Sequence, residues 1–459
     1  MGQKINFLSK RKHFQPAQVL VISFLILIVV GTLCLMLPQM VYGPHLDFID
    51  ALFTATSATC VTGLIVVDTG TRFTMLGQII ILVLLQLGGF GIMTLSTFSI
   101  FLIVGQFSIF DRDIIQETLT QKPIKNLATL LKMTFIFTVV IELMGAIILS
   151  YRFLNWFSLK QAVYYGIFHS ISAFCNAGFS LFFNSFEEFK ADYIINIVLM
   201  ILIVLGGLGF IVLLDLKQGW KKRKNKILFE LSFHSKIVLV ITFFLIIFGA
   251  TNFFVLENHN GLKDHALDTK IMASFFQSVT ARTAGFNTLN ISILSNTTLF
   301  FLIILMFIGG SPGSCAGGIK TSTFGVLLAF LVAKFKNQQE VNIFYRRLPQ
   351  EIISRAISVT FFSITVIIMF TLILMISELG GISHQQSRGL FLEILFEVVS
   401  AFGTVGLSTG MTFDLSVFGK FLVSVVMFIG RLSPLTIVLA IGAKKPLKYK
   451  YPEENILVG

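Results

Sequence analysis

Residues 53–64 read FTATSATCVTGL, and the same outline returns three more times: FHSISAFCNAGF at 168–179, FFQSVTARTAGF at 275–286 and FEVVSAFGTVGL at 396–407. Aligned on the last glycine, Gly63, Gly178, Gly285 and Gly406 coincide, and Phe53, Phe168, Phe275 and Phe396 each stand ten residues earlier. Ser57, Ser172 and Ser400 share a column, broken by Val279; Ala58, Ala173 and Ala401 share the next, broken by Thr280. The glycines are 115, 107 and 121 residues apart, too even for four unrelated loops. Self-similarity at a near-fixed period sets the architecture before any residue chemistry does. The chain therefore reads as four copies of one unit, a short helix followed by a glycine turn.

Of the 459 residues 55% are hydrophobic and only 13% charged, with a mean hydropathy of +0.86. Soluble domains carry about 25% charged residues, so this composition specifies a membrane protein surrounded by lipid. The net charge of +12 could suggest nucleic acid. However, the basic residues lie in loops between apolar runs and not on one face of a domain, which excludes that partner. Cys34, Cys60, Cys175 and Cys315 show no metal-ligand spacing and read as small buried residues. The apolar run at 19–37, which follows Lys10, Arg11 and Lys12, is too long for a signal peptide and has no small-residue cleavage site.

Apolar runs long enough to cross a hydrocarbon core, which takes about 20 helical residues, lie at 17–37, 75–104, 127–151, 193–216, 234–256, 298–333, 356–377 and 417–442. Each pair of runs brackets one glycine stretch. The stretches are too short to cross and fit re-entrant segments, which survive at membrane depth only inside protein or beside a water-filled cavity. Segments 1–16, 105–132, 217–236, 334–355 and 443–459 carry 24 of the 35 Lys and Arg, including Lys221, Lys222, Arg223 and Lys224. By the positive-inside rule both termini are cytoplasmic and every glycine stretch enters from outside.

Each unit then reads as helix, short pore helix, glycine turn, helix. Four such turns about an axis can form rings of backbone carbonyls that replace the hydration shell of a cation. Glycine supplies the backbone angles that other residues avoid, and the C-terminal ends of the pore helices favour positive charge. The residues before the glycines (Val61, Thr62; Asn176, Ala177; Thr283, Ala284; Thr404, Val405) are neutral and differ between copies, which suits selection by main chain. The alternative is that these small residues only let helices pack closely. Four copies in register, each between two spans, weigh against that.

The four glycine stretches, TARTAGFN at 280–287 and GGSPGSCAGGIKT at 309–321 together resemble the superfamily of Trk, Ktr and HKT potassium transporters, most closely the bacterial KtrB and TrkH membrane subunits. The likeness covers essentially the whole chain. It implies an all-α membrane protein, a single-chain four-fold pseudosymmetric pore of four M1–P–M2 repeats with eight transmembrane helices and four re-entrant pore loops. The repeats would occupy 1–104, 105–216, 217–333 and 334–459. The resemblance also implies K+ as the transported ion, bound by backbone carbonyls of the filter residues, and Gly63 rather than serine suits a potassium-selective member. The short N-terminus favours the KtrB type. A homodimer, a cytoplasmic RCK-type (KtrA-like) regulatory ring and nucleotide (ATP or ADP) on that partner are likewise implied, in a bacterial plasma membrane.

Residues 299–308 and 324–333 are apolar but too short to cross alone, and thirteen of the fifteen residues between them are small or proline. One continuous helix over 299–333 would run about 52 Å, so 309–323 is expected to be an irregular intramembrane loop. The resemblance makes it a gate, built from Gly309, Gly310, Ser311, Gly313, Ser314, Gly317, Gly318 and Lys320 and held by Arg431. Gly309 to Gly313 fits a nucleophile-elbow pattern and Gly313 to Thr321 nearly fits a phosphate loop, but neither follows a strand. Arg431 falls where the other repeats have Gly89, Gly207 and Gly310, a costly site for a charge, and is expected to donate to loop carbonyls. Lys320 can face the cavity or the cytoplasm. Arg282 is expected to brace the third turn from behind, paired with Glu393 or Glu397, and Glu142 to pair with an unidentified group. The seven histidines are scattered, with His169 alone in a glycine stretch, so no enzyme site is legible and no cofactor is expected in this chain. A sodium permease or a sodium-coupled potassium symporter is the competing transport function.

Overall fold

A computed structural model describes residues 16–91, 127–224, 230–383, 385–433, 436 and 440. Four long helices cross the structure: α1 (Pro16–Leu35), α4 (Leu127–Phe153), α8 (Phe233–Glu257) and α12 (Gln350–Leu379). A short helix follows each: α2 (Phe48–Cys60), α5 (Leu159–Phe174), α9 (Leu267–Thr280) and α13 (Leu390–Gly403). After each glycine turn comes a second apolar helix: α3 (Met75–Phe90), α6 (Tyr193–Leu208), α10 (Asn296–Phe307) and α14 (Val417–Leu432). Two further helices, α7 (Phe210–Lys224) and α11 (Thr321–Phe335), continue the second helices of repeats two and three.

Burial is inverted relative to a soluble protein. The C-terminal halves of α2, α5, α9 and α13 are buried, although they are rich in Ser and Thr. The long helices instead turn large apolar side chains outward; Ile147, Phe243, Phe361 and Ile376 are 60–74% exposed. An apolar surface this extensive is unstable against water and stable against lipid. The protein is a multi-pass membrane protein.

The second helices start alike. Thr74, Asp192, Ser295 and Ser416 each accept from a backbone N–H three residues on, in Gly77, Ile195, Thr298 and Gly419. Such N-caps satisfy donors that the first turn of a helix leaves unpaired. Each second helix then packs on the short helix of the next repeat: α3 on α5, α6 on α9, α10 on α13, and α14 back on α2. The cycle is closed by an ion pair of 2.7 Å between Asp50 in α2 and Lys420 in α14.

Two expectations about the second helices and the loop are corrected. Runs 75–104, 193–216 and 417–442 read as unbroken spans, but α3, α6 and α14 each stop within them, where Gly91, Gly209 and Ser433 hold φ values of +75°, +86° and +71°. Between α6 and α7 the axis turns by 101°. Residues 92–104 and most of 434–442 lie outside the described residues. The expected break in repeat three is present between α10 and α11, and α11 takes up Thr321 to Thr323, so the loop ends at Lys320.

Candidate ion pathway

The four turns share one backbone pattern. Two residues before each glycine, Val61, Asn176, Thr283 and Thr404 have φ of +58°, +58°, +76° and +50°, and the glycines have +93°, +68°, +79° and +92°. The residue between them, Thr62, Ala177, Ala284 or Val405, is not in the positive region. In repeats one, two and four the turn ends its helix with paired hydrogen bonds: Val61 N to Ala58 O and Thr62 N to Ser57 O, then 176 to 173 and 177 to 172, then 404 to 401 and 405 to 400. This is a Schellman end, normally reached with glycine in the left-handed position. In repeat three Ala284 N instead bonds Thr280 O.

The turns meet in a ring. A Cβ built on Gly63 would stand 2.5 Å from the Ala177 carbonyl oxygen, one on Gly178 2.7 Å from Ala284 O, one on Gly285 2.5 Å from Val405 O, and one on Gly406 2.2 Å from Thr62 O. Each contact runs to the next repeat, and the fourth returns to the first. No side chain fits at any of the four glycines, because the neighbour is backbone and the conformation is left-handed.

Hydroxyls hold the turns from behind. Ser57 Oγ accepts from Gly63 N and Ser400 Oγ from Gly406 N, both at 3.1 Å. Ser172 Oγ donates to Phe179 O at 2.8 Å. Val279 breaks the serine column, and there Thr280 Oγ1 donates to Phe286 O at 2.6 Å. The two exceptions in the sequence alignment therefore compensate each other. Between repeats two and three the Asn176 amide and the Thr283 hydroxyl are 3.2 Å apart. With the amide oxygen accepting from Thr283, its nitrogen donates to Ala173 O and Ile203 O.

Arg282 is paired differently from expectation. Its guanidinium reaches Thr242 in α8, at 3.5 Å to the carbonyl and 3.4 Å to the hydroxyl, and pairs with neither Glu393 nor Glu397. Glu397 is occupied by Ser408, Thr409 and Thr412. Glu142 in α4 accepts from Gln86 Nε2 at 3.1 Å to both oxygens, which joins repeat two to repeat one. Cys60, Cys175 and Cys315 are buried and free, whereas Cys34 is half-buried, contrary to expectation.

Below the ring, residues 308–320 form a closed loop. Gly309 N bonds Ile319 O at 2.9 Å and Thr321 N bonds Gly310 O at 2.9 Å. One side is tied to repeat two, through Ser311 N to Gly207 O (3.0 Å) and Phe210 N to Gly313 O (3.1 Å). The opposite side approaches repeat four, where a Cβ on Gly317 would lie 2.3 Å from Thr404 Oγ1, and the start of the loop approaches the turn of its own repeat, where a Cβ on Gly309 would lie 3.3 Å from Thr283 Cγ2. Arg431 donates through Nη1 to the Cys315 carbonyl in the loop and through Nη2 to the Gly88 carbonyl in α3. Lys320 Nζ donates within the loop, to Ala316 O at 2.7 Å. The glycine-rich GGSPG stretch is part of this loop, so it supports no nucleophile elbow.

A profile of the TrkH family, described as cation transport protein, matches residues 7–448. The chain belongs to that family. The Ktr system potassium uptake protein B of Bacillus subtilis is 39% identical, with 97% of each chain aligned. The potassium/sodium uptake protein NtpJ of Enterococcus hirae is 36% identical over 98% of each chain. Among solved structures, the potassium transporter TrkH from Vibrio parahaemolyticus superposes with a TM-score of 0.74 at 18% identity, covering 96% of this chain and 87% of that one. The TrkH family and these relatives are transporters, not enzymes. The N-caps, the left-handed residues two before each glycine and the helix breaks at Gly91 and Gly209 were not read from sequence, although Ser/Thr/Asp before an apolar run and GG-x-G within one were visible signals.

Proposed function

We propose that this chain is the potassium-selective, ion-translocating membrane subunit of a bacterial Ktr-type uptake system, conducting through the glycine ring. The reading rests on that ring. Four turns with alternating φ signs stack neutral backbone around a single axis, with no carboxylate among the residues at the four turns. Carbonyls so arranged replace a dehydrated cation's water, and the residues that would do so are Val61, Thr62, Gly63 and their equivalents at 176–178, 283–285 and 404–406. The repeats divide at 1–104, 105–216, 217–333 and 334–459, with both termini cytoplasmic and the ring open to the outside. The loop from Gly309 to Lys320 is the gate, and Arg431 is its latch.

The partner reading is a homodimer docked on a nucleotide-binding ring. Support comes from the cytoplasmic hairpin formed by Asn342–Ile343 and Arg346–Arg347. Its two turn residues, Phe344 and Tyr345, hold φ of +47° and +60°, and Tyr345 is fully exposed. Such turns usually carry Asn-Gly, and strained bulky residues persist where function holds them. The test of transport is rubidium or potassium uptake into vesicles containing the purified chain, with sodium as competitor. Uptake that sodium displaces only at large excess supports potassium selectivity. Sodium uptake at an equal rate would favour the sodium permease, and potassium uptake that requires sodium the symporter.

A further inference from the structure

Nine residues before the ring glycines stand Thr54, His169, Phe276 and Glu397. Two of these perform one task with different chemistry. His169 is buried in α5, and its Nε2 accepts from Leu181 N at 3.1 Å and lies 3.2 Å from Ser180 Oγ. An amide N–H can only donate, so Nε2 is unprotonated and Nδ1 carries the hydrogen, donated to Tyr165 O at 2.8 Å. Glu397, equally buried in α13, accepts from Ser408 Oγ at 2.5 Å, from Thr409 N at 3.0 Å and from Thr412 Oγ1 at 2.7 Å.

The match is residue for residue. Ser180 and Ser408 both follow their glycine by two positions, and Leu181 and Thr409 by three. Ser180 Oγ in turn accepts from Phe182 N at 3.0 Å and Ser408 Oγ from Gly410 N at 2.9 Å, both four positions after the glycine. The other two repeats have no such clamp. Thr54 bonds Asp50 O in its own helix, Phe276 has no polar atom, and the residues two after the glycine are Ile65 and Asn287, the latter turned to Glu187. Because the ring runs in the order 63, 178, 285, 406, the clamped turns face each other across it.

We infer that His169 and Glu397 are equivalent positioning residues that fix the chain leaving two opposed turns, and so hold the ring's width along one diagonal and set its discrimination between potassium and smaller cations. This deepens the filter reading and rests on it. What the site requires is a buried acceptor, not a charge, since an imidazole and a carboxyl group both serve. His169 is also wedged among Phe153, Phe182 and Phe186, with ring centroids 4.7–6.0 Å away, so its position is set by packing as well.

The test compares the potassium-over-sodium flux ratio of purified, reconstituted protein in wild type, His169→Phe, Glu397→Leu, His169→Gln, Glu397→Gln and Gly63→Ser. His169→Phe installs the residue repeat three already carries, and Glu397→Leu keeps bulk but no acceptor. His169→Phe strands the buried Leu181 N–H, and Glu397→Leu strands the half-buried Thr409 N–H together with the Ser408 and Thr412 hydroxyls; such a loss is worth about ten-fold in equilibrium, so the ratio should fall by about that factor. The two Gln variants retain an acceptor and should restore the ratio to within about two-fold, a rescue that charge or bulk alone would not give. If the Phe or Leu variants do not fold, Ser180→Ala and Ser408→Ala replace them; a ratio lowered by a factor of about two to five supports the clamp, and an unchanged ratio overturns it. A ratio unchanged by His169→Phe and Glu397→Leu, while Gly63→Ser lowers it, overturns the clamp alone. A ratio unchanged by all of them, Gly63→Ser included, overturns the filter reading beneath it.

Discussion

Val61, Thr283 and Thr404 are β-branched residues in the left-handed region, each an arrangement that costs about 1–3 kcal/mol. The surrounding bonds over-determine them: Schellman pairs at two of the three, and behind every turn a hydroxyl from Ser57, Ser172, Thr280 or Ser400. Ser57→Ala leaves the buried Gly63 N–H without its partner and should lower stability by about 1–2 kcal/mol, seen as a lower melting temperature in detergent, with Thr59→Ala as a nearby control. The glycines were legible from the alignment, and so was the serine column. The strained residue two positions earlier was not, because its identity differs in every repeat and only the fold imposes its angle. The partner of Arg282 differs from the expected carboxylate for a related reason. A carboxylate of suitable charge exists in the neighbouring repeat, but Glu397 is consumed by its own turn, and the guanidinium settles on Thr242.

At the scale of elements, the second helices and the loop form one layer under the ring. Gly88, Gly206 and Gly430 sit against the carbonyls of Thr59, Phe174 and Phe402, where a Cβ would come within 2.0 Å, so each helix passes hard under the end of a short helix. The helix breaks beyond these glycines escaped the sequence reading because apolar composition continues through them, and hydropathy reports length but not direction. In repeat three the break was legible, since thirteen small residues cannot be mistaken for a span. Deleting Gly313 to Gly318 should raise potassium flux and spare selectivity, because the loop lies below the ring and contributes none of its glycines. Arg431→Ala removes two charge-assisted bonds, to Cys315 O and Gly88 O. One such bond is worth about 1.5–3 kcal/mol, enough to shift a two-state loop by about ten-fold or more. Flux in both variants at matched surface expression is the check; folded variants that conduct no better than wild type would make the loop packing only.

The whole molecule is a closed cycle in which every second helix supports the next short helix, and Asp50–Lys420 joins the first repeat to the last across 370 residues. Fold class and repeat number were legible because repetition survives divergence of everything but glycine and apolar pattern. Which repeats carry extra polar contacts was not, as the Glu142–Gln86 pair and the clamps depend on tertiary neighbours. The exposed hairpin tip gives the partner reading its own test. Tyr345→Ala should weaken binding of a nucleotide-loaded regulatory ring while transport by the isolated chain is unaffected, measured by co-purification and by uptake. Nucleotide bound tightly by the purified chain alone would contradict that division of labour. The central claim is that the ring selects the ion, and the most direct measurement is the reversal potential across bilayers holding purified wild type or Gly63→Ser, with potassium on one side and sodium on the other. Wild type should sit near the potassium potential and Gly63→Ser should move clearly toward zero, because a side chain there must displace the Ala177 carbonyl. A wild-type potential near zero, or one that Gly63→Ser leaves in place, would contradict it.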